Sequence, residues 1–520
     1  MNKIGFQNFR RFQSFKPLEF NGITFLVGPN NSGKSTIVKA LLLVSNYFKS
    51  KNSRRFFFGN QVLEKLNIIN YGRAKNYSAE ENQITFNLEI GNLFVLIILT
   101  GDDDKSYAEV VTLEIHDFES GISFVFDFNA QTIKISLDRG GIENSPDDNL
   151  LFELSNELER VKRQLNNSNL NKTSIEFIEL VSLKEKLQEK IDGLEKNKIP
   201  FFLDTIILED EMGKSSFIKE IVEDFLGKNQ NLYHVYFNKV QQGEEVPIIF
   251  ENLKVFYEFG FNEVARIFNE SLLFLEETTF HYLGASLHKT STYFSITDRN
   301  NSLSQAIYRY AQLNISAGEP EHIFILKWMR EFGVGENFSI EKVDGGEGYS
   351  LKVTESNKTL HLSDKGMGSI QLMSLILKLA TVVRFKRYKE LNFEDYKLIQ
   401  PQTIIAIEEP ELNLHPGLQS KLADLFLETF QDFGLQFIIE THSEYVLRRS
   451  QVIVAENEFE VAPNENPFCV HYFPKDIHQM PYRLEYQEDG SFSRNFGDGF
   501  FDEASSSTLE LLKLKRQKKA

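Results

Sequence analysis

The 520 residues are 41% hydrophobic and 25% charged, the balance of a chain able to bury several cores. The net charge of −17 argues against a protein that coats nucleic acid indiscriminately, and a lone cysteine, Cys469, excludes an intramolecular disulfide framework or a cysteine-based zinc site. No run of 18 or more apolar residues and no secretory leader in MNKIGFQNFRRFQSF are present, so the sequence predicts no membrane role and a reducing, cytoplasmic home.

The charge is unevenly spread. Residues 1–55 hold ten Lys and Arg against one acid, Glu19, and KLKRQKKA from Lys513 adds five more cations. Part of the N-terminal excess, with Arg10 and Arg11 as its candidates, is expected to meet the anion that the glycine-rich loop further along would bind. The rest is either a nucleic-acid footprint or an ordinary solvated surface.

Ile23–Val27 (ITFLV) reads as a short buried strand, and STIVKALLLV from Ser35 has helical apolar spacing. Between them lies GPNNSGKST, which fits the phosphate-binding pattern G-x-x-x-x-G-K-[ST]. Glycines at Gly28 and Gly33 let the backbone curl so that N–H groups point at an anion, and the helix start adds its positive dipole end. Asn30, Asn31, Ser32 and Thr36 complete the candidate cradle for ATP. Lys34 would reach the β and γ oxygens, and the Ser35 hydroxyl would ligate Mg2+.

Residues 82–137 alternate in short β-rich runs (QITFNLEI, YAEVVTLEI, ISFVFDF, TIKISL), an antiparallel meander, and LFVLIIL from Leu93 reads as one buried strand. The period then changes. Leu151, Leu154, Leu158, Val161 and Leu165 form one heptad seam, and Leu180, Leu183, Leu187, Ile191 and Leu194 a second, predicting an antiparallel hairpin about 30 Å long. It is either a docking knob or dimer contact, or a helical pair packed on the body. Residues 201–280 read as mostly helical, with an apolar face over Phe217–Phe225 and a long run from Leu253 to Leu275. GYSLKV and KTLHLS flank Thr354–Asn357 as a hairpin.

LSDKGMGSIQ, from Leu362, opens an expected amphipathic helix, Ile370–Leu379. Such a Ser/Gly-rich start offers free N–H groups to an anion, or it is a plain cap with Ser363 or Asp364 at the N-cap. In QTIIAIEEPELNLHP the uninterrupted run Thr403–Ile407 marks a strand buried on both faces, with Glu408 and Glu409 at its C-terminal end. Adjacent residues of an extended chain face opposite sides, so the two acids should divide the work: Glu408 holds Mg2+ through water and Glu409 orients the attacking water. A helix over Gly417–Phe430, closed by Gly434, leads to a strand, Leu435–Ile439, which ends in Glu440-Thr441-His442-Ser443. His442 then sits at the sheet edge of Glu409, placed to sense a γ-phosphate.

Taken in order, GPNNSGKST, LSDKGMGSIQ, IIAIEEPELNLHP and FIIETHSEYVLRR resemble the heads of OLD-like ATPases, relatives of SMC and RecF-type proteins. The C-terminal VHYFPKDIHQMPYRLEYQEDGSFSRNFGDGFFDEA resembles the tail of a bacterial subgroup, and HYLGASLHKT the turn where such chains re-enter the cassette. The resemblance implies an α/β, P-loop ABC-type ATPase head with a mixed or parallel sheet, flanking helices, an antiparallel β-subdomain and a helical insertion. The expected division is 1–145 and 281–520 for the head, 146–200 for the coiled-coil hairpin and 201–280 for a helical insertion. It also implies a signature motif at Ser363, Gly366, Gly368 and Ser369, acting on the nucleotide of a second chain in a head-to-tail homodimer. A glutamine touching Mg2+ and water is expected as well, with Gln61 and Gln83 as open alternatives.

Many members of the group serve antiviral defence, paired with a nuclease or other effector, as in Septu-type and retron-linked ATPases. OLD nucleases add a Toprim domain. Only 78 residues follow His442 and none form Asp-x-Asp, so this chain is expected to be an ATPase and not itself a nuclease. The alternatives are a RecF- or SMC-like DNA repair factor, which would bind nucleic acid, and a nucleotide-gated scaffold with little turnover.

Overall fold

Five apolar runs scattered along the sequence come together as parallel strands of one six-stranded sheet. The computed structural model describes residues 2–50, 52–59, 68–138, 205–213, 215–285, 291–298, 301–343, 347–457, 466–476 and 479–494, with a few short pieces besides (184, 186, 345, 496–497, 507–511 and 513). The two heptad seams between 151 and 194 lie outside the described residues.

The chain divides into two units, one made of Met1–Gly91, Ile97–Val110 and Glu270–Ala520, the other of Asn92–Leu96 and Val111–Asn269. The first holds the six-stranded sheet, ordered Thr279–Leu283, Thr403–Glu408, Leu435–Glu440, Ile23–Val27, Phe468–Tyr472 and Tyr482–Leu484. All neighbours are parallel except the last pair. Every residue of Ile23–Val27 and of Thr403–Ile407 is buried, as uninterrupted apolar runs require. The register aligns the strand ends: Glu408 stands opposite Glu440, and Glu440 opposite Leu26. Three strands therefore finish level, just where the glycine-rich loop begins.

Helix Pro416–Phe433 starts with Pro at its first turn and ends at Gly434, whose φ of 62° is the left-handed stop glycine allows without strain. Helix Met367–Asn392 departs from expectation. From Ile370 to Leu377 every residue is buried, so it is not amphipathic; it packs against helices Ser302–Gln312 and Pro320–Glu331. Polar Gln371 and Ser374 are buried with their apolar neighbours, because this part of the helix is enclosed on every side. By length and composition it could cross a membrane, yet 72% of its apolar stretch is buried within the protein.

Also in this unit, Asn2–Phe9 and Phe12–Phe20 form a hairpin, and Asn2–Phe9 pairs with Gln83–Ile90. Its core is aromatic, with Phe6 stacked on Phe15 at 4.5 Å between ring centroids. Gly348–Glu355 and Lys358–His361 form the expected hairpin, with Ser356 and Asn357 both at positive φ (47° and 65°).

In the second unit the end of the meander (Ile122–Asp127, Thr132–Asp138) continues into a strand the sequence did not announce, Thr205–Glu211, paired antiparallel with Thr132–Asp138. Three apolar residues followed by acids make a weak strand signal, and the pairing partner is remote in sequence. The expected helical character of 201–280 holds after it, in Ile218–Gln241, Ile249–Phe259 and Phe261–Glu277 (the last counted in this unit only as far as Asn269), the last two separated at Gly260 (φ 103°).

His471 is 5% exposed, its Nε2 2.6 Å from the Glu19 carbonyl oxygen. Burial pushes its pKa from 6.5 down to about 4. The unfolded chain therefore takes up this proton first, so stability is complete above pH about 6.5 and falls as the pH drops toward 4. At pH 5 the loss is roughly 2 kcal/mol. Denaturant unfolding at pH 7 and pH 5 should show it, and His471→Gln should remove that part of the slope. A pH dependence identical in both proteins would contradict the assignment.

Candidate nucleotide site

The loop after Ile23–Val27 needs glycine at two places. Gly28 has φ 141°, and a Cβ there would lie 2.2 Å from the Phe473 carbonyl oxygen. Gly33 has φ 104°, and a Cβ would strike the Phe12 ring at 2.5 Å. Asn31 sits at φ 60°, a conformation asparagine tolerates. The loop so formed delivers helix Lys34–Lys49 with no side chain capping its start, which leaves its first N–H groups available to an anion. Ser32 Oγ is buried without a hydrogen-bond partner, as a hydroxyl waiting on an oxygen-rich ligand would be.

A cavity of about 710 Å3 opens over this loop. Asn30, Asn31, Ser32, Gly33, Lys34, Ser35 and Thr36 line it, together with Arg10, Arg11, Lys39, Arg73, Lys75 and Tyr77. Among the described residues, six cations face two acids there, Glu409 and Glu440. Burial lowers the pKa of Arg10, Arg11, Lys34 and Lys39 alike, so a bound polyanion would relieve each of them. Arg10 and Arg11 reach the cavity because they form the turn of the N-terminal hairpin, with Arg10 at φ 54°. That turn is pinned by Asn76 Nδ2 donating to the Arg10 carbonyl at 2.7 Å, and Arg11 donates to the Asn31 carbonyl.

The carboxylates are sorted by the ends of the strands. Glu408 closes its strand and accepts a hydrogen bond from the Tyr282 hydroxyl at 2.8 Å; burial raises its pKa. Glu409 has already left the strand. Its φ is 46°, and its N–H donates to the Glu440 carbonyl at 2.8 Å. The two acids do face different surroundings, but the cause is this left-handed step and not the alternation of an extended chain.

His442 Nε2 lies 3.9 Å from Glu409 Oε1. Burial, then Lys34, lowers its pKa, so the imidazole is neutral at pH 7. The His442 backbone N–H donates to Glu411 Oε1 at 2.7 Å, and the next residue, Ser443, donates from its hydroxyl to Gln419 Oε1 at 2.6 Å, which ties the histidine loop to the helix after the acids.

Glu440 was not singled out in the sequence, yet among the described residues it makes the closest contacts of any acid with the loop. It accepts from Ser35 Oγ at 2.7 Å and lies 3.6 Å from Lys34 Nζ. Ser35 is thus bonded to Glu440, not to Glu408. The available signal was an acid ending an apolar strand beside the strand of Glu408 and Glu409. Lys39, Arg73, Lys75 and Tyr77 carried no motif. Gln83 is exposed at a strand start, Gln61 lies outside the described residues, and no glutamine is among the described residues lining the cavity.

The segment at Ser363, Gly366, Gly368 and Ser369 does not line this cavity. Leu362–Lys365 is a short 3-10 turn, Gly366 has φ 91° and is exposed, and helix Met367–Asn392 starts without a side-chain cap. Neither Ser363 nor Asp364 caps it. Gly368 abuts the loop after the acids, where a Cβ would lie 2.9 Å from the Asn413 carbonyl oxygen.

Hard oxygen donors at Ser35, Glu440 and Glu408 suit Mg2+, and among the described residues no set of three His, Cys, Asp or Glu could hold a metal alone. The ion would share its coordination with phosphate oxygens.

The AAA ATPase domain profile matches residues 1–447. The chain belongs to that family. The fold of this AAA ATPase is a P-loop ATPase fold of mixed α/β class. Three solved structures are similar to it at low identity. The Smc head domain of Pyrococcus furiosus, bound to the C-terminal domain of ScpA, is 12% identical over 99% of this chain and 100% of that one, with a TM-score of 0.33. The Smc head domain of Pyrococcus yayanosii is 10% identical over 94% and 98%, TM-score 0.34. The SMC head domain of Thermotoga maritima is 11% identical over 93% and 98%, TM-score 0.31. No curated protein matches the chain.

Proposed function

We propose that this ATPase is an ABC-type, OLD-like head that closes head-to-tail with a second copy around ATP and thereby controls a partner effector, a nuclease in bacterial antiviral defence. The motif order supports the family branch. The observation that carries the assembly is the uncapped helix start at Gly366–Ser369, which presents free N–H groups away from its own chain's cavity. The proposed head is built from 1–145 and 281–520, with 146–280 inserted.

Within the site, Lys34 and the loop N–H groups bind the phosphates, and Arg10 and Arg11 add positive charge at the rim. Ser35 and Glu408 would hold Mg2+, which supplies charge neutralisation at the phosphates. Glu409 takes a hydrogen bond from the attacking water and aligns it, while neutral His442 orients the terminal phosphate.

Mixed subunits test the assembly. Gly368 is a poor choice for blocking the signature, because a larger residue there would collide with Asn413. Ser363 is better: it is half-buried, and among the described residues its hydroxyl donates only to neighbouring Asp364, at 3.5 Å. Lys34→Ala and Ser363→Arg chains should each be inactive alone. A heterodimer keeps one intact pairing, Lys34 of the Ser363→Arg chain with the signature of the other, and should recover up to about half the activity per dimer if sites are independent. No recovery in heterodimers shown to form would sink the head-to-tail reading.

A further inference from the structure

Lys34 and Ser35, the two side chains of the loop that a nucleotide would use, are both engaged by Glu440. Its carboxylate takes the Ser35 hydroxyl at 2.7 Å and lies 3.6 Å from the Lys34 ammonium. The remaining donors of Lys34 go to the Gly28 and Pro29 carbonyls, each at 2.9 Å. The pair is largely dry: the Lys34 side chain is 2% exposed and that of Glu440 12%. The sheet leaves Glu440 no alternative place. Its backbone is fixed between Glu408 and Leu26, one strand away from the loop.

A triphosphate arriving at this loop takes Lys34 for its own oxygens. Glu440 then stands, nearly buried and without its cation, against phosphate charge of the same sign. Nearby Glu408 does not compensate, because it is another carboxylate and its contact is with Tyr282. A divalent cation would relieve the repulsion, and Glu440 and the Ser35 hydroxyl are the hard oxygen donors that would hold it.

We propose that Glu440 is an electrostatic gate on the phosphate loop: it holds Lys34 and Ser35, and admits a nucleoside triphosphate only together with a divalent cation. This rests on the nucleotide reading of the cavity but not on dimerisation. Glu440 is a positioning residue in this role, acting through Lys34, Ser35 and the cation. Glu408 and Glu409 alone would leave Mg2+-free ATP a far weaker opponent at Ser35.

The test is equilibrium binding, independent of turnover. ATP affinity is measured by calorimetry in excess Mg2+ and in EDTA for the parent chain, Glu440→Gln and Glu440→Asp, with melting curves for each. Glutamine keeps the size and still accepts from Ser35, but carries no charge. In Glu440→Gln the affinity for Mg2+-free ATP should rise about tenfold, while that for MgATP falls a few-fold, so the Mg2+ dependence collapses. Glu440→Asp should retain the parent's Mg2+ dependence. An unchanged ratio of the two affinities in folded Glu440→Gln would overturn the gate while leaving the nucleotide site standing. Failure of the parent chain to bind MgATP at all would overturn both.

Discussion

Replacing Lys34 with alanine should raise the dissociation constant for MgATP by at least about 100-fold. Two charge-assisted hydrogen bonds to phosphate oxygens, at about 1.5–3 kcal/mol each, account for that much. The two arginines of the hairpin turn do not substitute: Arg11 donates to the Asn31 carbonyl and Arg10 to the Arg73 carbonyl at 3.0 Å. Lys34 alone rises from the first residue of the helix, with its ammonium within reach of the loop's own carbonyls, where the phosphates would sit. The substitution also leaves Glu440 without its cation beside the entering phosphates, which adds repulsion to lost attraction. Circular dichroism and a cooperative melt establish that the variant is folded, and calorimetry gives the affinity. A folded Lys34→Ala chain that binds MgATP as the parent does would show that the cavity is not the nucleotide site.

How much of this could be read from residues alone depends on the range of the interactions involved. The glycines of the loop, the run Ile23–Val27 and the run Thr403–Ile407 announce themselves, because local backbone freedom and double-sided burial leave local marks. The stop at Gly434 is of the same kind. Glu440 is not. Its contact with Ser35 joins residues 405 apart, and it depends on two strands lying next to each other in one particular register. Nothing in IIETHS states which strand will be its neighbour.

The placement of Arg10 and Arg11 shows the same limit. Their basic character is visible, but the turn that aims them is held from Asn76, and the neighbouring lysine and tyrosine of that loop, Lys75 and Tyr77, reach the cavity with it. The helix at Met367–Asn392 misled for the opposite reason. Gln371 and Ser374 are polar, and only the packing of two other helices shows that every residue from Ile370 to Leu377 is buried. Glu409 is a subtler case. That the two acids face different surroundings is expected from the sequence through a rule for extended chains, which the left-handed backbone at Glu409 does not obey.

Glu409→Gln should leave MgATP bound and reduce turnover about 100- to 10,000-fold, the usual weight of a positioned general base. The backbone poses no obstacle, since this chain already holds glutamine in the left-handed region at Gln131 (φ 57°) and Gln400 (φ 44°). The amide fills the same space and keeps the contact region of His442, whose Nε2 is 3.9 Å from the carboxylate, but it cannot draw a proton from water. Binding should survive because the phosphate contacts belong to Lys34, Ser35 and the loop N–H groups, none of which Glu409 touches through its side chain. Glu408→Gln should behave differently. Its partner is Tyr282, and removing its charge should weaken the response to Mg2+ before it affects the water. Single-turnover measurements with bound MgATP separate the two, because they isolate the chemical step from binding and release. If Glu408→Gln abolishes the chemical step while Glu409→Gln merely raises the Mg2+ requirement, the roles of the two acids are reversed.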